Sequence, residues 1–341
     1  TIIVSQQIRY AQKRELGYNK NNLVYHFLSG DIEKNYLLIK NELLQSGLAS
    51  SITKTSAPVS QGWSDSWGIE WEGKAPDDKT DFDRFCADEN LVKTCGFQLV
   101  QGRDFDLKSY PTDSLGIILN ESAVKVMNFK SPIGQTIKDG DKQWHVIGVI
   151  KDFIMHSPFG NLKPMVIEGA KGWFNVMHIK FNDAKPMKEN LAAAEKIFKK
   201  YNPEYPFEYK FIDEEYANKF NNEKRTEALS GLFAGLTIFI SCLGLFGLAT
   251  YMAENRIKEI GVRKVLGASV VNITTLLSKD FLKLVVIALL IASPLAWWSM
   301  KAWLEGYPYH INIEWWVFLM AGLLSILVSL FTVSYQSVKA A

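Results

Sequence analysis

The chain divides into a polar N-terminal part and an apolar C-terminal part. Three stretches, residues 228–253, 284–300 and 315–338, contain no charged residue. Because a helix rises about 1.5 Å per residue, about 20 apolar residues cross a hydrocarbon core of about 30 Å. The first and third stretches reach this length, and the second does so when a snorkelling lysine near each end is included. The sequence therefore predicts three membrane spans, at about 228–253, 281–303 and 315–338.

Basic residues are distributed unequally between the two connections of these spans. Residues 254–283 contain six Lys and Arg residues, whereas residues 302–314 contain none. Because cytoplasmic connections are enriched in Lys and Arg, the first connection is predicted to be cytoplasmic and the large N-terminal part to lie outside. Arg9, Lys13 and Arg14 fall on the predicted outer side and oppose this orientation, but the longer cluster outweighs them.

Two further features belong to the predicted membrane part. Gly231 and Gly235 form a G-x-x-x-G pair in the first span, a pattern that allows close helix packing, although glycine is also tolerated in a span without such packing. Thr1–Val4 is apolar, and no basic region of the kind that begins a signal peptide accompanies it. We therefore expect residues 1–22 to be the end of a truncated first transmembrane helix followed by a stalk.

The polar part carries two similar strand-helix-strand patterns separated by a long insert. The strands and helices are predicted over 23–29, 32–46 and 52–57, and again over 175–181, 187–201 and 207–212. The strand-rich insert of about 59–172 then makes one split β-α-β subdomain with a second subdomain inserted in it. The predicted fold class is an α+β extracytoplasmic domain over 23–213, a stalk helix over 214–227 and an all-α transmembrane bundle over 228–341.

Composition and motifs exclude several classes of protein. The chain has 38 Lys and Arg residues against 36 Asp and Glu residues, so a net charge of +2 provides no general attraction for nucleic acid. No G-x-x-x-x-G-K-[ST], H-E-x-x-H, G-x-S-x-G or C-x-x-C motif occurs, and the five histidines lack the spacing of metal ligands. Asp152 and His156 come nearest to a catalytic pair, but their spacing specifies no reaction. We therefore predict no catalytic residue, metal site or cofactor in this chain, and no enzymatic activity.

The three cysteines are too few for a disulfide scaffold. Cys86 and Cys95 would pair only if their part of the chain faces an oxidising compartment, and their spacing leaves this question open. Cys242 lies in an apolar run, where a small buried hydrophobic residue is the simplest interpretation.

The connection between the first two spans carries the most informative sequence. Charged residues cluster in it, a turn of small residues follows at 267–269, and a short amphipathic stretch begins at Val270. Such a segment is typical either of a helix that docks on another protein or of a helix on the membrane surface. From physical chemistry alone the two interpretations are equal.

Residues 259–269 read EIGVRKVLGAS and resemble the signature of the FtsX-like permease family, the MacB-type permeases of ABC transporters. Segments of the outer part that begin at Gly96, Gly102, Ile118, Pro132 and Val146 are similar, in that order, to the MacB-like periplasmic core domain. The resemblance covers nearly the whole chain. It implies four spans per unit, of which three are visible here with the remnant of another, and an outer domain with a porter-like subdomain.

The resemblance also implies partners. The ATPase of such systems is a separate subunit that binds ATP and Mg²⁺ and contacts the cytoplasmic connection. By this analogy the ATPase-coupling site comprises Glu259, Ile260, Gly261, Arg263, Lys264, Gly267, Ala268 and Ser269. Other expected partners are a second permease half or a homodimer copy, a periplasmic adaptor or other outer partner, and membrane lipids.

These implications lead to a functional prediction. The chain is expected to be the permease subunit of a MacB/FtsX/LolCDE-like ABC transporter in a bacterial inner membrane. It would couple ATP hydrolysis on its partner to movement of the periplasmic domain, which is called mechanotransmission, and export or extract a substrate at the outer face. The alternative is a non-transporting signalling or scaffold protein of the FtsX type that controls a periplasmic partner.

Overall fold

The computed structural model describes residues 1–255, 262, 265–266 and 270–340, leaving aside the side chains at 249, 253, 270–278, 280–281 and 333–340. The chain forms two compact units. One unit is the α/β domain, residues 14–220, and the other combines residues 1–13 with residues 221–341 and is called the helical unit below. A mixed α/β domain joined to apolar helices was predicted, and this coarse architecture is confirmed.

The elements are numbered in chain order. The strands are β1 (Leu23–Phe27), β2 (Ala49–Thr55), β3 (Asp65–Ser66), β4 (Ile69–Trp71), β5 (Phe82–Cys86), β6 (Leu99–Gly102), β7 (Gly116–Asn120), β8 (Thr136–Asp139), β9 (Lys142–Ile150), β10 (Met165–Glu168), β11 (Val176–Phe181) and β12 (Lys210–Phe211). The helices are α1 (Ile2–Gln12), α2 (Tyr36–Gln45), α3 (Leu91–Cys95), α4 (Glu121–Met127), α5 (Met187–Tyr201), α6 (Ile212–Asn218), α7 (Asn221–Asn255), α8 (Val270–Glu305) and α9 (Trp316–Ala340), and a 3₁₀ turn covers Pro111–Leu115.

The first and last strands of the α/β domain form one antiparallel sheet, in the order β12-β1-β11-β2. Helices α2 and α5 cover one face of this sheet. Their apolar positions at helical spacing, such as Ile39, Leu43 and Phe198, pack on alternate strand residues such as Val24 and Ile179. Strands distant in sequence are thus neighbours, because β11 lies between β1 and β2.

The strands between residues 65 and 168 form a second sheet, in the order β3-β5-β10-β7-β9-β8-β4, with β6 paired to β9. The two ends of this order, β3 and β4, are consecutive strands separated by Trp67 and Gly68. Arg84 on β5 lies with its Nε 2.9 Å from Asp139 Oδ2 on β8, and 2.6 Å from Glu168 Oε1 on β10. The sheet therefore curves back on itself, and an ion-pair cluster joins strands that are far apart in its order.

A shared apolar core connects the two sheets of the α/β domain. Tyr25 of β1 and Val176 of β11 belong to the same buried cluster as Phe85, Ile118 and Ile150 of the second sheet. Burial of apolar surface stabilises the folded chain by about 25 cal/mol per Å². The shared cluster therefore holds the two sheets together in one domain.

Two of the predicted helix boundaries are wrong. The helix predicted over 32–46 begins at Tyr36, because Asn202 accepts the Asp31 N–H at 3.0 Å and Ile32 is buried in a turn. The stalk helix predicted over 214–227 is interrupted at Lys219 and Phe220, between α6 and α7. Phe220 is only 2% exposed, and its burial competes with a continuous helix.

Cys86 and Cys95 are both buried and free, so the open question of their pairing is answered in this structure. Burial raises the pKa of the Cys86 thiol to about 12, which makes it unreactive at neutral pH.

In the helical unit, α9 packs against both α7 and α8, and α1 packs against α7. Two helical stretches are long and apolar enough to cross a membrane, Asn221–Met252 and Leu282–Glu305. The third apolar stretch is shorter in the described part of the chain, Trp316–Thr332, so a third span stays a prediction. Helix α8 continues through Pro294.

Candidate functional site at the two ends of the α/β domain

All residues of the predicted ATPase-coupling site lie outside the described residues. These are Glu259, Ile260, Gly261, Arg263, Lys264, Gly267, Ala268 and Ser269. Three apolar residues of the same connection are described, and all are exposed: Val262, Val265 and Leu266. The positions of these three residues do not test whether the predicted site residues lie close together, so the coupling site stays a prediction.

The predicted packing glycines are described on α7. A Cβ atom built on Gly231 or Gly235 would meet no other atom within 4 Å. No other described residue therefore packs directly on these two glycines, and their role in helix packing stays a prediction.

The α/β domain has a loop that contacts both ends of the domain's own chain. This base loop, residues 151–160, follows β9 and has no regular secondary structure. Arg14, the first residue of the domain, donates from Nη1 to the carbonyl oxygens of Pro158 at 3.0 Å and Gly160 at 2.7 Å. Lys219, next to the last residue, donates from Nζ to the carbonyl oxygens of Met155 at 2.6 Å and His156. One loop thus receives hydrogen bonds from the entry and the exit of the domain.

Lys219 is held in an environment that disfavours its charge. Burial lowers the pKa of the Lys219 ammonium to about 8, and Glu215 on the preceding turn offsets this only in part. The charged form is retained at neutral pH because two carbonyl dipoles point at the ammonium group. Such hydrogen bonds from a charged donor to backbone acceptors contribute about 1.5–3 kcal/mol each when both groups are partly buried.

Apolar and backbone contacts strengthen the same junction. The backbone N–H of Ile154 donates to Leu16 O at 2.9 Å. Gly17 has a φ of +82°, and a Cβ atom there would lie 2.5 Å from Phe153 Cβ, so only glycine permits this approach. At the exit, the ring of Phe220 packs edge-on against Phe159, with 5.6 Å between ring centroids. The base loop is therefore fixed to both chain ends by polar and apolar contacts.

Asp152 and His156, which lie in this loop, do not form a catalytic pair. Asp152 accepts hydrogen bonds from the backbone N–H and the hydroxyl of Ser122, at 2.9 and 2.6 Å. His156 Nε2 instead contacts Asp83 Oδ2 at 2.8 Å. Asp152 thus ties the base loop to α4, and His156 ties it to β5 of the second sheet. Among the described residues, no group of three or more His, Cys, Asp or Glu side chains is arranged for a metal ion.

A second polar contact lies within the helical unit. The Gln7 side chain of α1 is buried, donates from Nε2 to Tyr309 O at 2.8 Å and accepts from the Ile311 N–H at 2.9 Å. The rings of Tyr10 and Tyr309 stack with centroids 4.6 Å apart. Helix α1 is therefore bound to the connection between α8 and α9.

Sequence patterns did not reveal these residues. In the sequence, Arg14 and Lys219 are distinguished only as charged residues near the ends of the domain, since their partners are backbone carbonyls more than 60 positions away. The one available signal was the stretch after β9, whose Gly and Pro residues indicate a loop.

Residues 231–341 match a family model described as FtsX-like permease C-terminal. The predicted resemblance to this family is confirmed by that match. Among solved structures, the chain is similar to the periplasmic region of MacB from Actinobacillus actinomycetemcomitans, at 16% identity and a TM-score of 0.43, over 62% of this chain and 98% of that one. It is also similar to the extracellular domain of the ABC-type transporter YknZ from Gram-positive bacteria, at 13% identity and a TM-score of 0.40, over 56% of this chain and 98% of that one. No curated protein sequence matches the chain at a significant level.

Proposed function

We propose, from the match of residues 231–341 to the FtsX-like permease C-terminal model, that the chain is the permease subunit of an ABC transporter that works by mechanotransmission. ATP and Mg²⁺ would be bound by a separate ATPase subunit, since the sequence has no G-x-x-x-x-G-K-[ST] motif. The chain would lie in a bacterial inner membrane, with the α/β domain in the periplasm.

The contacts of the base loop support a mechanical role for the α/β domain. Movement of the chain segments that precede Arg14 or follow Lys219 would pull on the same loop. That loop is bonded through Asp152 to α4 and through His156 to β5 of the second sheet. A displacement at either end would therefore be passed through the base loop to the rest of the α/β domain. This relay needs no substrate path through the helices.

The composition of the apolar helices supports this interpretation. Residues 228–253, 284–300 and 315–338 contain no ionisable Asp, Glu, Lys, Arg or His side chain. Ion-driven carriers and charged channels place such groups inside the membrane. We therefore propose that the chain acts on a substrate at the outer face, by export or by extraction from the membrane.

The ATPase-coupling segment provides the experiment. Arg263→Glu and Lys264→Glu, made singly and together in the full chain, are expected to weaken co-purification of the ATPase and to lower its stimulation at least about tenfold, because reversed charges oppose the partner surface. Lys279→Glu, a change of equal charge at an exposed residue of the same connection, is the control.

If both reversals leave ATPase binding and stimulation unchanged, the coupling assignment fails. If ATPase stimulation and movement of the α/β domain persist while no substrate is moved in reconstituted membranes, the export proposal fails, and signalling to a periplasmic partner replaces it.

A further inference from the structure

A cleft of about 500 Å³ opens where α2 and β2 of the first sheet meet the second sheet of the α/β domain. Its volume lies within the range of about 300–1,000 Å³ that is typical of small-molecule sites. The cleft shares no residue with the base loop.

Lys54 is the innermost cation of this cleft. Its Nζ lies 4.4 Å from the ring centroid of Phe174 and 5.0 Å from that of Tyr36. The side chain is half-buried, and its ammonium makes no ion pair with the described residues of the chain. A partly desolvated ammonium held by two aromatic faces keeps its charge available to a ligand.

The acidic groups of the cleft are largely engaged. Asp88 is buried and accepts from Tyr36 Oη at 2.7 Å, Thr53 Oγ1 at 2.7 Å and the Lys54 backbone N–H at 2.8 Å. Burial raises the pKa of this carboxyl. Glu89 forms an ion pair of 2.8 Å with Lys40. In the described structure, neither carboxylate forms an ion pair with the Lys54 ammonium.

Two more lysines line the cleft, Lys34 and Lys108, and both are exposed and without an ion pair in the described structure. Two lining carboxylates, Glu33 and Asp88, are also without an ion pair in the described structure. Because the partners of Asp88 are uncharged, three ammonium groups stand against two carboxylates, which leaves an excess of one positive charge. This excess favours an anionic ligand, and a phosphate monoester has three terminal oxygens that accept hydrogen bonds from ammonium groups.

The remaining wall of the cleft is apolar. Leu37 is 65% exposed on α2, and Leu107 and Ala170 also line the cleft. A ligand with an anionic group and a small apolar body would satisfy both kinds of surface, as small-molecule sites combine apolar walls with a few placed charges.

We propose that this cleft binds a small organic phosphate monoester, with the phosphate held by Lys54, Lys34 and Lys108 and the organic part packed on Leu37 and Leu107. This site is independent of the permease function proposed above.

The test uses the full chain in micelles of an uncharged detergent, with phenyl phosphate, inorganic phosphate and benzoate as calorimetric probes. Phenyl phosphate is expected to bind saturably with a Kd below about 1 mM, more tightly than either other probe. Lys54→Gln is expected to weaken this binding at least about tenfold, because a charge-assisted contact is lost. The double variant Lys34→Gln/Lys108→Gln, which alters exposed side chains only, is expected to weaken it about three- to tenfold.

Lys125→Gln, on the exposed face of α4, removes one charge outside the cleft and should leave the Kd within about twofold. Unchanged melting temperatures show that the variants are folded. The proposal is overturned by the absence of saturable binding, by equal affinity in the Lys54 and Lys125 variants, or by unchanged binding in the double variant. Benzoate that binds as tightly as phenyl phosphate overturns the assignment to phosphate.

Discussion

The ammonium group of Lys219 donates a hydrogen bond to the carbonyl oxygen of Met155 at 2.6 Å. This bond connects the residue that follows α6 with a loop 64 positions earlier in the chain. Because α7 begins two residues after Lys219, the contact is made where the chain leaves the α/β domain. It identifies a place where force transmitted along the chain would first enter the domain.

Replacement of Lys219 by Met is expected to reduce coupling more than stability. The change removes two donors to the base loop but keeps an apolar stem, so the carbonyl oxygens of Met155 and His156 lose their partner. We expect destabilisation of about 1–3 kcal/mol and faster amide hydrogen exchange in residues 151–160. ATPase stimulation by the substrate should fall, whereas ATPase binding should not.

Lys219→Arg is the informative companion variant, because it retains a charged donor. It should restore slow exchange in the base loop at least in part. If exchange in the loop is unchanged in Lys219→Met, the contact does not fix the loop and the relay proposal loses its support.

His178 makes the α/β domain sensitive to acid. Its Nε2 accepts from the Val59 N–H at 3.1 Å, and its Nδ1 lies 3.1 Å from Thr55 Oγ1, whose hydroxyl donates to Ala57 O. The ring is therefore neutral, and burial lowers its pKa from 6.5 to about 3. The unfolded chain binds this proton from about pH 6.5 downward and the folded chain does not. The free energy of unfolding should therefore fall between pH 6.5 and 3, by at most about 5 kcal/mol.

The measurement compares melting temperatures of the wild type and His178→Gln across this range, since a glutamine can keep one donor and one acceptor but does not titrate. The variant should lose less stability than the wild type between pH 6.5 and 4. Parallel curves for the two proteins would show that His178 is not the responsible group.

Gln7→Leu should loosen the connection between α8 and α9. The variant leaves Tyr309 O and the Ile311 N–H without their side-chain partner, at a cost of about 2–3 kcal/mol for buried groups. Chymotrypsin should then cleave faster after Tyr309, since the bond after Tyr307 precedes Pro308 and is resistant; trypsin has no site there, because residues 302–314 contain no Lys or Arg. Gln12→Leu, at an exposed position of α1, is the matched control and should leave the cleavage rate unchanged.

Glu168→Ala should destabilise the second sheet. Glu168 is fully buried and bonded to Arg84, and burial raises the pKa of its carboxyl. Removal of the Glu168 carboxylate leaves the Arg84 charge only partly compensated, at a cost of about 2–4 kcal/mol. The cost is limited because Arg84 keeps its ion pair with Asp139 and is partly exposed to solvent. Chemical unfolding checks this value. Glu70→Ala on β4 removes an exposed carboxylate from the same sheet and should cost less than about 0.5 kcal/mol; equal effects of the two changes would contradict the role of the cluster.

The division into a polar and an apolar part, and the repeated strand-helix-strand pattern of the α/β domain, could be predicted from the amino-acid sequence. These features follow from local composition and periodicity, which neighbouring residues supply. The FtsX-like signature at 259–269 was equally local, and the family match over 231–341 agrees with it.

The meeting of distant groups could be read only from the folded chain. There, β11 lies between β1 and β2, Arg84 reaches Asp139, and Arg14 and Lys219 are bonded to one loop. The fold also interrupts the predicted stalk helix, since the burial of Phe220 outweighs the local helical preference. Periodicity missed these contacts because a hydrogen bond or ion pair depends on a separation of about 3 Å in space, whereas periodicity records only positions along the chain.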